Sequence, residues 1–288
     1  MEYPLRIGER SVVLVEGAAG WGEISPVDGY PCDPGAARRS AIEAACDGFP
    51  PPVRRSVPVN AFVASTTDID AALDARLAGF RCVKMKVGRR APDDDIERIC
   101  SVRELVGPEV AIRVDANGAW DVDTATEVLT GVARRDVVLE FAEQPVATIT
   151  ELAALRRRVA VPLAADECMR TVDDARAVRD AGAADLIVLK VQPAGGVRAA
   201  LALAETAALP AVVSSMFETS IGIAAGLALA AALPELPHAC GLATLDEIAG
   251  DVVTSPLRPE GDVLQVPDTW PVPDPGLLAR YSATGAPS

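Results

Sequence analysis

Residues 111–117, Ala-Ile-Arg-Val-Asp-Ala-Asn, form a short apolar run that ends in a carboxylate. Four more apolar runs along the chain end in a charged residue, and the five closing groups are Lys86, Asp115, Glu143, Asp166 and Lys190. The intervals between the last four are 143 − 115 = 28, 166 − 143 = 23 and 190 − 166 = 24 residues. Each interval is the length of one strand, one helix and two loops, so the pattern predicts βα units around a parallel sheet.

The alternation continues over most of the chain and predicts an α/β fold, a (β/α)₇β TIM-like barrel at residues 57–249. Eight strands are expected near residues 59–64, 82–87, 111–115, 138–143, 161–166, 185–190, 211–214 and 239–241. Seven helices are expected near residues 68–78, 93–106, 121–135, 148–158, 172–181, 197–208 and 220–232.

A small N-terminal α+β capping domain is expected at residues 1–56, ahead of the proline-rich joint Phe49-Pro50-Pro51-Pro52. Its elements are a hairpin within residues 11–23 and a helix over residues 36–48. Because the hairpin follows Met1 almost at once, we expect this domain to be shortened. The proline-rich tail, residues 250–288, is expected to form loops that pack back on it.

The composition limits the partners. A net charge of −14 argues against nucleic acid and anionic membrane surfaces. No apolar run reaches the ~20 residues of a membrane helix, and the N-terminus does not resemble a signal peptide. The six cysteines form no C-x-x-C pair, which is typical of reduced thiols. We therefore expect a cytoplasmic protein, with monomer and homo-oligomer both open. The net charge does not exclude an anionic small-molecule substrate, because cations at a site can outweigh it.

The carboxyl ends of barrel strands converge on one face, so the closing groups should meet there. Three carboxylates supply the hard oxygen ligands that Mg²⁺ prefers. Singly, each carboxylate could be a helix cap, but three at successive strand ends make that reading a poor one. Lys84 and Lys86 point to the same side of their strand, with a surface strand edge as the alternative. Lys190 ends an apolar run, where an unpaired charge is expensive, which favours a site role.

These groups suit one kind of chemistry. A proton on the carbon next to a carboxylate is a very weak acid, because its removal places negative charge on the carboxylate oxygens. A divalent cation on those oxygens stabilises that charge, and a lysine in its neutral form can take the proton. The pattern therefore indicates proton transfer next to a metal-bound carboxylate.

An ordered set of motifs covers nearly the whole chain: G-W-G-E (Gly20–Glu23), K-x-K (Lys84, Lys86), D-A-N (Asp115–Asn117), E-Q-P (Glu143–Pro145), A-D-E (Ala165–Glu167) and L-K (Leu189, Lys190). This set resembles the muconate-lactonizing subgroup of the enolase superfamily. Within that subgroup, the segments at residues 188–198, 214–222 and 241–245 resemble the o-succinylbenzoate synthase family of the actinobacterial type.

The resemblance implies a role for each matched position. Asp115, Glu143 and Asp166 would ligate Mg²⁺, with Mn²⁺ as an alternative. Lys86 would be the base and then the acid that helps hydroxide leave, Lys84 would tune it, and Lys190 would stabilise the enediolate by its charge. The groups expected near the metal or the substrate are Asn117, Glu167, Ser214, Ser215, Thr219 and Ser220. The turn at residues 214–220 precedes a helix whose free N–H groups would hold a second substrate carboxylate.

The activity that the resemblance implies is syn-dehydration of a cyclohexadiene carboxylate to o-succinylbenzoate in menaquinone biosynthesis. The alternative is racemisation of N-succinylamino acids, which needs the same two lysines. A non-catalytic barrel and a flavin- or phosphate-dependent barrel are further readings. The single histidine, His238, lies in a proline-rich loop, which argues against relatives that use a histidine–aspartate pair.

Overall fold

The N-terminal part of the chain is a three-stranded antiparallel sheet. In the computed structural model, which describes residues 1–283 except the side chains of residues 71 and 72, the strands are β1 (Glu2–Ile7), β2 (Arg10–Gly17) and β3 (Gly20–Ile24). The predicted hairpin is confirmed as β2 and β3. Ahead of it lies β1, a strand that was not predicted and that pairs antiparallel with β2, and the expected shortening of this domain stays a prediction. β1 is an edge strand, and an edge tolerates Pro4.

Helix α1 (Pro34–Cys46) packs against β3, and the backbones of the two elements lie very close together. Asp33 caps its first turn by accepting a hydrogen bond from the backbone N–H of Ala36. A Cβ atom at Gly22 would lie 2.1 Å from the carbonyl oxygen of Ala41, so any other residue there would push the helix off the sheet. The close approach of two backbones explains this glycine of the G-W-G-E segment.

Seven strands follow in one parallel sheet, in which the spatial order is the order along the chain. After a short strand β4 (Ser56–Pro58), they are β5 (Ala61–Val63), β6 (Cys82–Lys86), β7 (Ala111–Asp115), β8 (Phe141–Glu143), β9 (Leu163–Ala165), β10 (Leu186–Leu189) and β11 (Ala211–Val213). Nearly all of their side chains are buried, as in strands that crossover helices cover on both faces. The first seven predicted strands are therefore confirmed, with shifts of a few residues at their ends.

Helices alternate with these strands. They are α2 (Ala71–Leu77), α3 (Pro92–Val106), α4 (Val122–Ala133), α5 (Ile149–Arg156), α6 (Val172–Asp180), α7 (Val191–Ala194), α8 (Val197–Ala207) and α9 (Ser220–Ala232). Seven of them match the predicted helices, whereas α7 was not predicted. α5 and α6 begin with capping boxes, formed by Thr148 with Glu151 and by Thr171 with Asp174.

The predicted eighth strand is reduced to two single-residue contacts. Cys240 forms a parallel bridge with Val59, and Gly241 forms one with Ser214. The backbone N–H of Cys240 donates to the carbonyl oxygen of Pro58, and the N–H of Gly241 donates to that of Val213. The pairing is too short to count as a strand, but it occupies the expected place in the chain.

The C-terminal tail contains more regular structure than was predicted. β12 (Val263–Gln265) pairs antiparallel with β4, and α10 (Pro275–Tyr281) follows. Leu278 and Tyr281 pack against a buried cluster that includes Leu5 and Ile7 of β1. The expectation of loops only is therefore wrong, and residues 284–288 of the tail lie outside the described residues.

The described chain divides into two compact units. Unit 1 comprises Met1–Val59, Leu189–Leu203 and the chain from Val212 onward, and unit 2 comprises Asn60–Val188 and Ala204–Ala211. The domain boundary placed at residue 56 stays a prediction. Within residues 1–283 the longest helix, α3, has 15 residues, so no helix there has the length of a membrane span.

A buried arginine in unit 2 leads to a stability prediction. Arg113 is 1% exposed, its Nε lies 2.7 Å from Glu140 Oε2, and its guanidinium lies 4.6 Å from the centre of the Phe141 ring. We expect Glu140→Ala to lower the free energy of unfolding by about 3–5 kcal/mol, because it removes an acidic partner of a buried charge. The matched control, Glu97→Ala, breaks an exposed pair with Arg135 and should lower the free energy of unfolding far less, because water screens exposed charges. Equal losses in urea unfolding would contradict the prediction.

Candidate active site

Two of the predicted carboxylates meet both lysines of the K-x-K motif in unit 2. Asp115 and Glu143 are register partners at the ends of β7 and β8, and each is 1% exposed. Lys84 Nζ lies 2.8 Å from Asp115 Oδ2 and 2.5 Å from Glu143 Oε1. Lys86 Nζ lies 2.6 Å from the same Asp115 oxygen. The expectation that the two lysines point to one side is confirmed.

The electrostatics of this cluster favour the ionised form of Asp115. Burial by itself would raise the pKa of Asp115, but the charges and hydrogen bonds of Lys84 and Lys86 outweigh it and hold that pKa well below its usual range. The side chain of Lys84 is 8% exposed and that of Lys86 is 23% exposed. Lys86 is thus the lysine of the pair that a solute can reach, whereas Lys84 is enclosed with its counter-ions.

Asn117 connects Lys86 to Glu167. Its Oδ1 accepts a hydrogen bond from Lys86 Nζ at 2.7 Å, and its Nδ2 donates to Glu167 Oε1 at 2.7 Å. Its backbone N–H donates to Asp115 Oδ1 at 3.0 Å, and its φ of 48° lies in the left-handed region, which asparagine tolerates better than most residues. The structure thus brings together six predicted site residues from the ends of four strands: Lys84, Lys86, Asp115, Asn117, Glu143 and Glu167.

Asp166 is placed by a residue to which no role was assigned, Gln144. The register pairs Glu143 with Ala164, and Asp166 directly follows the last residue of β9. Gln144 is fully buried, and its Oε1 accepts hydrogen bonds from the backbone N–H groups of Asp166 at 2.8 Å and Cys168 at 3.3 Å. The E-Q-P motif contained this signal, an amide directly after a strand-end carboxylate.

The donor types at these strand ends fit a hard divalent cation, since Asp115, Glu143 and Asp166 offer only carboxylate oxygens. In residues 1–283, however, no three or more acidic, cysteine or histidine side chains converge closely enough to hold a metal ion as they stand. The Lys84 ammonium lies between Asp115 and Glu143 and satisfies both. Lys84 contacts one oxygen of each carboxylate, Asp115 Oδ2 and Glu143 Oε1, so each carboxylate keeps a second oxygen that is a ligand atom suited to a metal ion.

A second buried polar cluster lies in unit 1, at the start of α9. Glu23 of β3 is 4% exposed and accepts hydrogen bonds from the backbone N–H groups of Thr219 at 3.2 Å and Gly222 at 2.9 Å. The Thr219 hydroxyl donates to Glu23, and the backbone N–H of Ser220 donates to Asp251 Oδ1 at 3.0 Å. The expectation that these N–H groups are free for a substrate carboxylate is therefore wrong, because side-chain carboxylates of the protein already occupy them.

Gln192 connects two acids of this cluster, Glu218 directly and Glu23 through Ser25. Its Nε2 donates to Glu218 Oε1 at 2.9 Å, and its Oε1 accepts from the backbone N–H of Ser25 at 2.8 Å. The Ser25 hydroxyl donates to Glu23 Oε1 at 2.5 Å. Neither Glu23, Gln192 nor Glu218 was predicted to belong to the site, since their partners lie far away along the chain.

The remaining predicted residues lie close to this cluster along the chain. The hydroxyls of Ser215 and Thr244 are hydrogen-bonded at 2.5 Å, and the backbone N–H of Phe217 donates to Ser215. Ser214 follows β11 and is partly exposed. Lys190 directly follows β10, and its Nζ lies 4.3 Å from the centre of the Tyr30 ring.

The chain contains only three lysines, and they are Lys84, Lys86 and Lys190. The other 27 − 3 = 24 basic residues are arginines. Arginine stays charged at any pH a protein meets, whereas lysine can release a proton when its surroundings demand it. Every lysine of the chain is therefore one of the predicted site residues.

The buried acid Glu23 leads to a pH prediction. Burial, followed by the charge of Glu218, raises the pKa of Glu23 to about 7 against several hydrogen bonds that lower it. The unfolded chain ionises this group near its ordinary pKa, so stability should fall as pH rises from about 4.5 to 7, by roughly 3 kcal/mol. The check is urea unfolding between pH 5 and 8 with wild type and Glu23→Gln, whose difference isolates this group. Parallel profiles for the two proteins would contradict the prediction.

Comparison with known proteins gives the family. A sequence profile of the enolase C-terminal domain-like family matches residues 68–279. An o-succinylbenzoate synthase of Thermobifida fusca is 51% identical over 271 residues, which cover 91% of this chain and 85% of that protein. One of Mycobacterium tuberculosis is 48% identical over 286 residues, which cover 98% of this chain and 84% of that protein.

Solved structures show the same fold. The muconate cycloisomerase from Pseudomonas fluorescens superposes with a TM-score of 0.86 at 21% identity, covering 98% of this chain and 97% of the other. The muconate lactonizing enzyme from Klebsiella pneumoniae gives a TM-score of 0.87 at 22% identity, covering 98% of each chain. Together with the 51% identity above, these matches show that the chain belongs to the enolase superfamily and, within it, to the o-succinylbenzoate synthases, a family of carbon–oxygen lyases.

Proposed function

We propose that this chain catalyses the syn-dehydration of 2-succinyl-6-hydroxy-2,4-cyclohexadiene-1-carboxylate to o-succinylbenzoate, a step of menaquinone biosynthesis in the cytoplasm. The observation that carries the proposal is the position of Lys86, a partly exposed residue at the carboxyl end of β6. Its Nζ lies 2.6 Å from the buried carboxylate of Asp115. The relatives named for this product support the choice of substrate.

The reaction needs one group that first removes and then returns a proton. As a neutral amine, Lys86 Nζ takes the proton from C1, the ring carbon that bears the carboxylate, and the electron pair of that bond passes into the carboxylate as an enediolate. The pair then returns to the ring as the bond from C6 to its hydroxyl breaks. The Lys86 ammonium gives its proton to the leaving hydroxide, so one water is lost. Because one lysine serves both steps, both groups leave from one face.

The other residues of the site would provide the charges that stabilise the enediolate in this step. Asp115, Glu143 and Asp166 would hold Mg²⁺, which when bound stabilises the negative charge that develops on the substrate carboxylate. Lys84 contacts Asp115 and Glu143 and favours their ionised forms, as metal ligation requires. Lys190 is proposed to supply a positive charge to the enediolate, the role that the family resemblance gives it.

The partner in this proposal is a small carboxylate, without nucleic acid or membrane. Aromatisation of the ring makes the reaction favourable in itself, so the site has only to lower the barrier to proton removal. The proposal leaves both a monomer and a homo-oligomer open as the active form.

The direct test is an absorbance assay with the purified chain and the cyclohexadiene carboxylate. Protein treated with a chelator should be inactive and should regain activity when Mg²⁺ is added back, while its circular dichroism spectrum stays unchanged. Activity that survives complete chelation would remove the metal from the proposal. A folded protein that binds Mg²⁺ but forms no o-succinylbenzoate would refute the proposed reaction.

A further inference from the structure

Lys190 has an aromatic neighbour to which neither the motifs nor the proposed mechanism gives a role. The Tyr30 ring lies with its centre 4.3 Å from Lys190 Nζ, well within the range in which an ammonium is attracted to a ring face. Both side chains are partly exposed, so the ring covers the ammonium without sealing it from solution. Tyr30 lies in the segment between β3 and α1, which has no helix or strand of its own.

Contacts at both ends fix the position of that segment beside Lys190. At its start, the backbone N–H of Ser25 donates to Gln192 Oε1 at 2.8 Å, and Gln192 lies on α7, whose first residue follows Lys190 directly. At its end, Asp33 caps α1. A turn in between, in which the N–H of Tyr30 donates to the carbonyl oxygen of Val27 at 3.1 Å, presents the ring. The ring is thus tied to the same turn of chain that carries the lysine.

We propose that Tyr30 is a positioning residue for Lys190: its ring face holds the ammonium in one orientation before substrate binds. A lysine side chain has many rotamers, and charge stabilisation is most effective when the charge is already in place as the reaction begins. The buried Glu218 adds a second influence: burial raises the pKa of Glu218, and the charge of Lys190 is one of several smaller effects that oppose this rise. The ammonium thus lies in the fields of an aromatic face and an acid.

The contact itself can be tested without any activity. The chain has only three lysines, so protein labelled with ¹³C at lysine Cε gives three side-chain signals, and Lys190→Arg identifies one of them by its loss. We expect the Lys190 protons to be shifted upfield by the Tyr30 ring in the wild type and in Tyr30→Phe. In Tyr30→Leu they should return to the position of an ordinary lysine while the Lys84 and Lys86 signals stay. An unshifted Lys190 signal in the wild type would overturn the proposal.

The kinetic part rests on the proposed dehydration. Tyr30→Leu should lower kcat by about three- to tenfold with a smaller change in KM, the scale of one cation–π contact. Tyr30→Phe should restore kcat to near the wild-type value, because the ring face and not the hydroxyl makes the contact. Tyr30→Phe as impaired as Tyr30→Leu, or Tyr30→Leu with wild-type kcat, would overturn the positioning role. A wild type that does not dehydrate the substrate would refute the proposed function, while the NMR result would stand.

Discussion

Replacing Lys86 by arginine will lower kcat by about a thousandfold, the scale of losing a general base. Arginine keeps the positive charge and can still pair with Asp115, but its guanidinium does not release a proton near neutral pH. The variant should therefore fold and bind the metal normally while failing to remove the proton. The measurement is steady-state turnover at saturating Mg²⁺, with urea unfolding as the check on stability.

The matched control is Lys190→Arg, the same substitution at the other reachable lysine. If Lys190 acts by charge alone, this variant should lose much less activity than Lys86→Arg. The comparison also addresses the racemisation alternative, because moving a proton between two faces requires both lysines to give up and regain a proton. Wild-type turnover in Lys86→Arg would show that Lys86 is not the base, and equal losses in both variants would argue against a purely electrostatic Lys190.

Replacing Asp166 by asparagine is the second change with a large expected effect. It removes one charged ligand of the proposed metal, and we expect turnover to fall by about a thousandfold, since a metal in such a site contributes several kcal/mol. The fold should persist, because the Gln144 side chain accepts a hydrogen bond from the backbone N–H of Asp166, and the substitution keeps this contact. Isothermal titration with Mg²⁺ should show weakened binding alongside the lost activity.

The control for this variant is Asp123→Asn, which makes the same exchange at an aspartate whose side chain is 90% exposed. That protein should bind Mg²⁺ and turn over substrate like the wild type. An Asp166→Asn variant with full activity and unchanged metal affinity would refute the assignment of Asp166 as a ligand. A variant that unfolds in the absence of denaturant would instead give the Asp166 carboxylate a structural role.

The strand-end residues could be predicted because two local patterns coincide in the chain. Short apolar runs mark strands that are buried on both faces, and a charged residue at the end of such a run marks the edge of the sheet. Asp115 and Glu143 meet as register partners because their runs end at the same level. The helices between the strands were also predictable, since their lengths and caps are local features.

Other elements could not be predicted because nothing local distinguishes them. β1 contains a proline, which normally argues against a strand, and only its position at the sheet edge permits it. α7 is a single turn, too short to show a helical period. α10 lies in a proline-rich stretch. Its N-cap Asp274 and its first residue Pro275 are residue types that are also common in turns, so they did not indicate a helix there.

The polar contacts around α9 were beyond prediction for a different reason. Glu23 and Thr219 are hydrogen-bonded although nearly two hundred residues separate them, and no periodicity in the chain relates the two positions. A helix N-terminus predicts that some anion will be bound, but it does not say whether the anion is a ligand or a side chain of the same protein. That distinction depends on the tertiary structure.

The scarcity of lysine has a practical consequence for anyone who labels or attaches this protein. Reagents that acylate amines, such as succinimidyl esters, normally decorate a protein surface at random and leave function largely intact. Here the only side-chain amines are Lys84, Lys86 and Lys190, of which Lys84 is enclosed. Amine coupling that goes beyond the α-amino group of Met1 would therefore modify the proposed site itself, and attachment through the exposed Cys46 is the safer route.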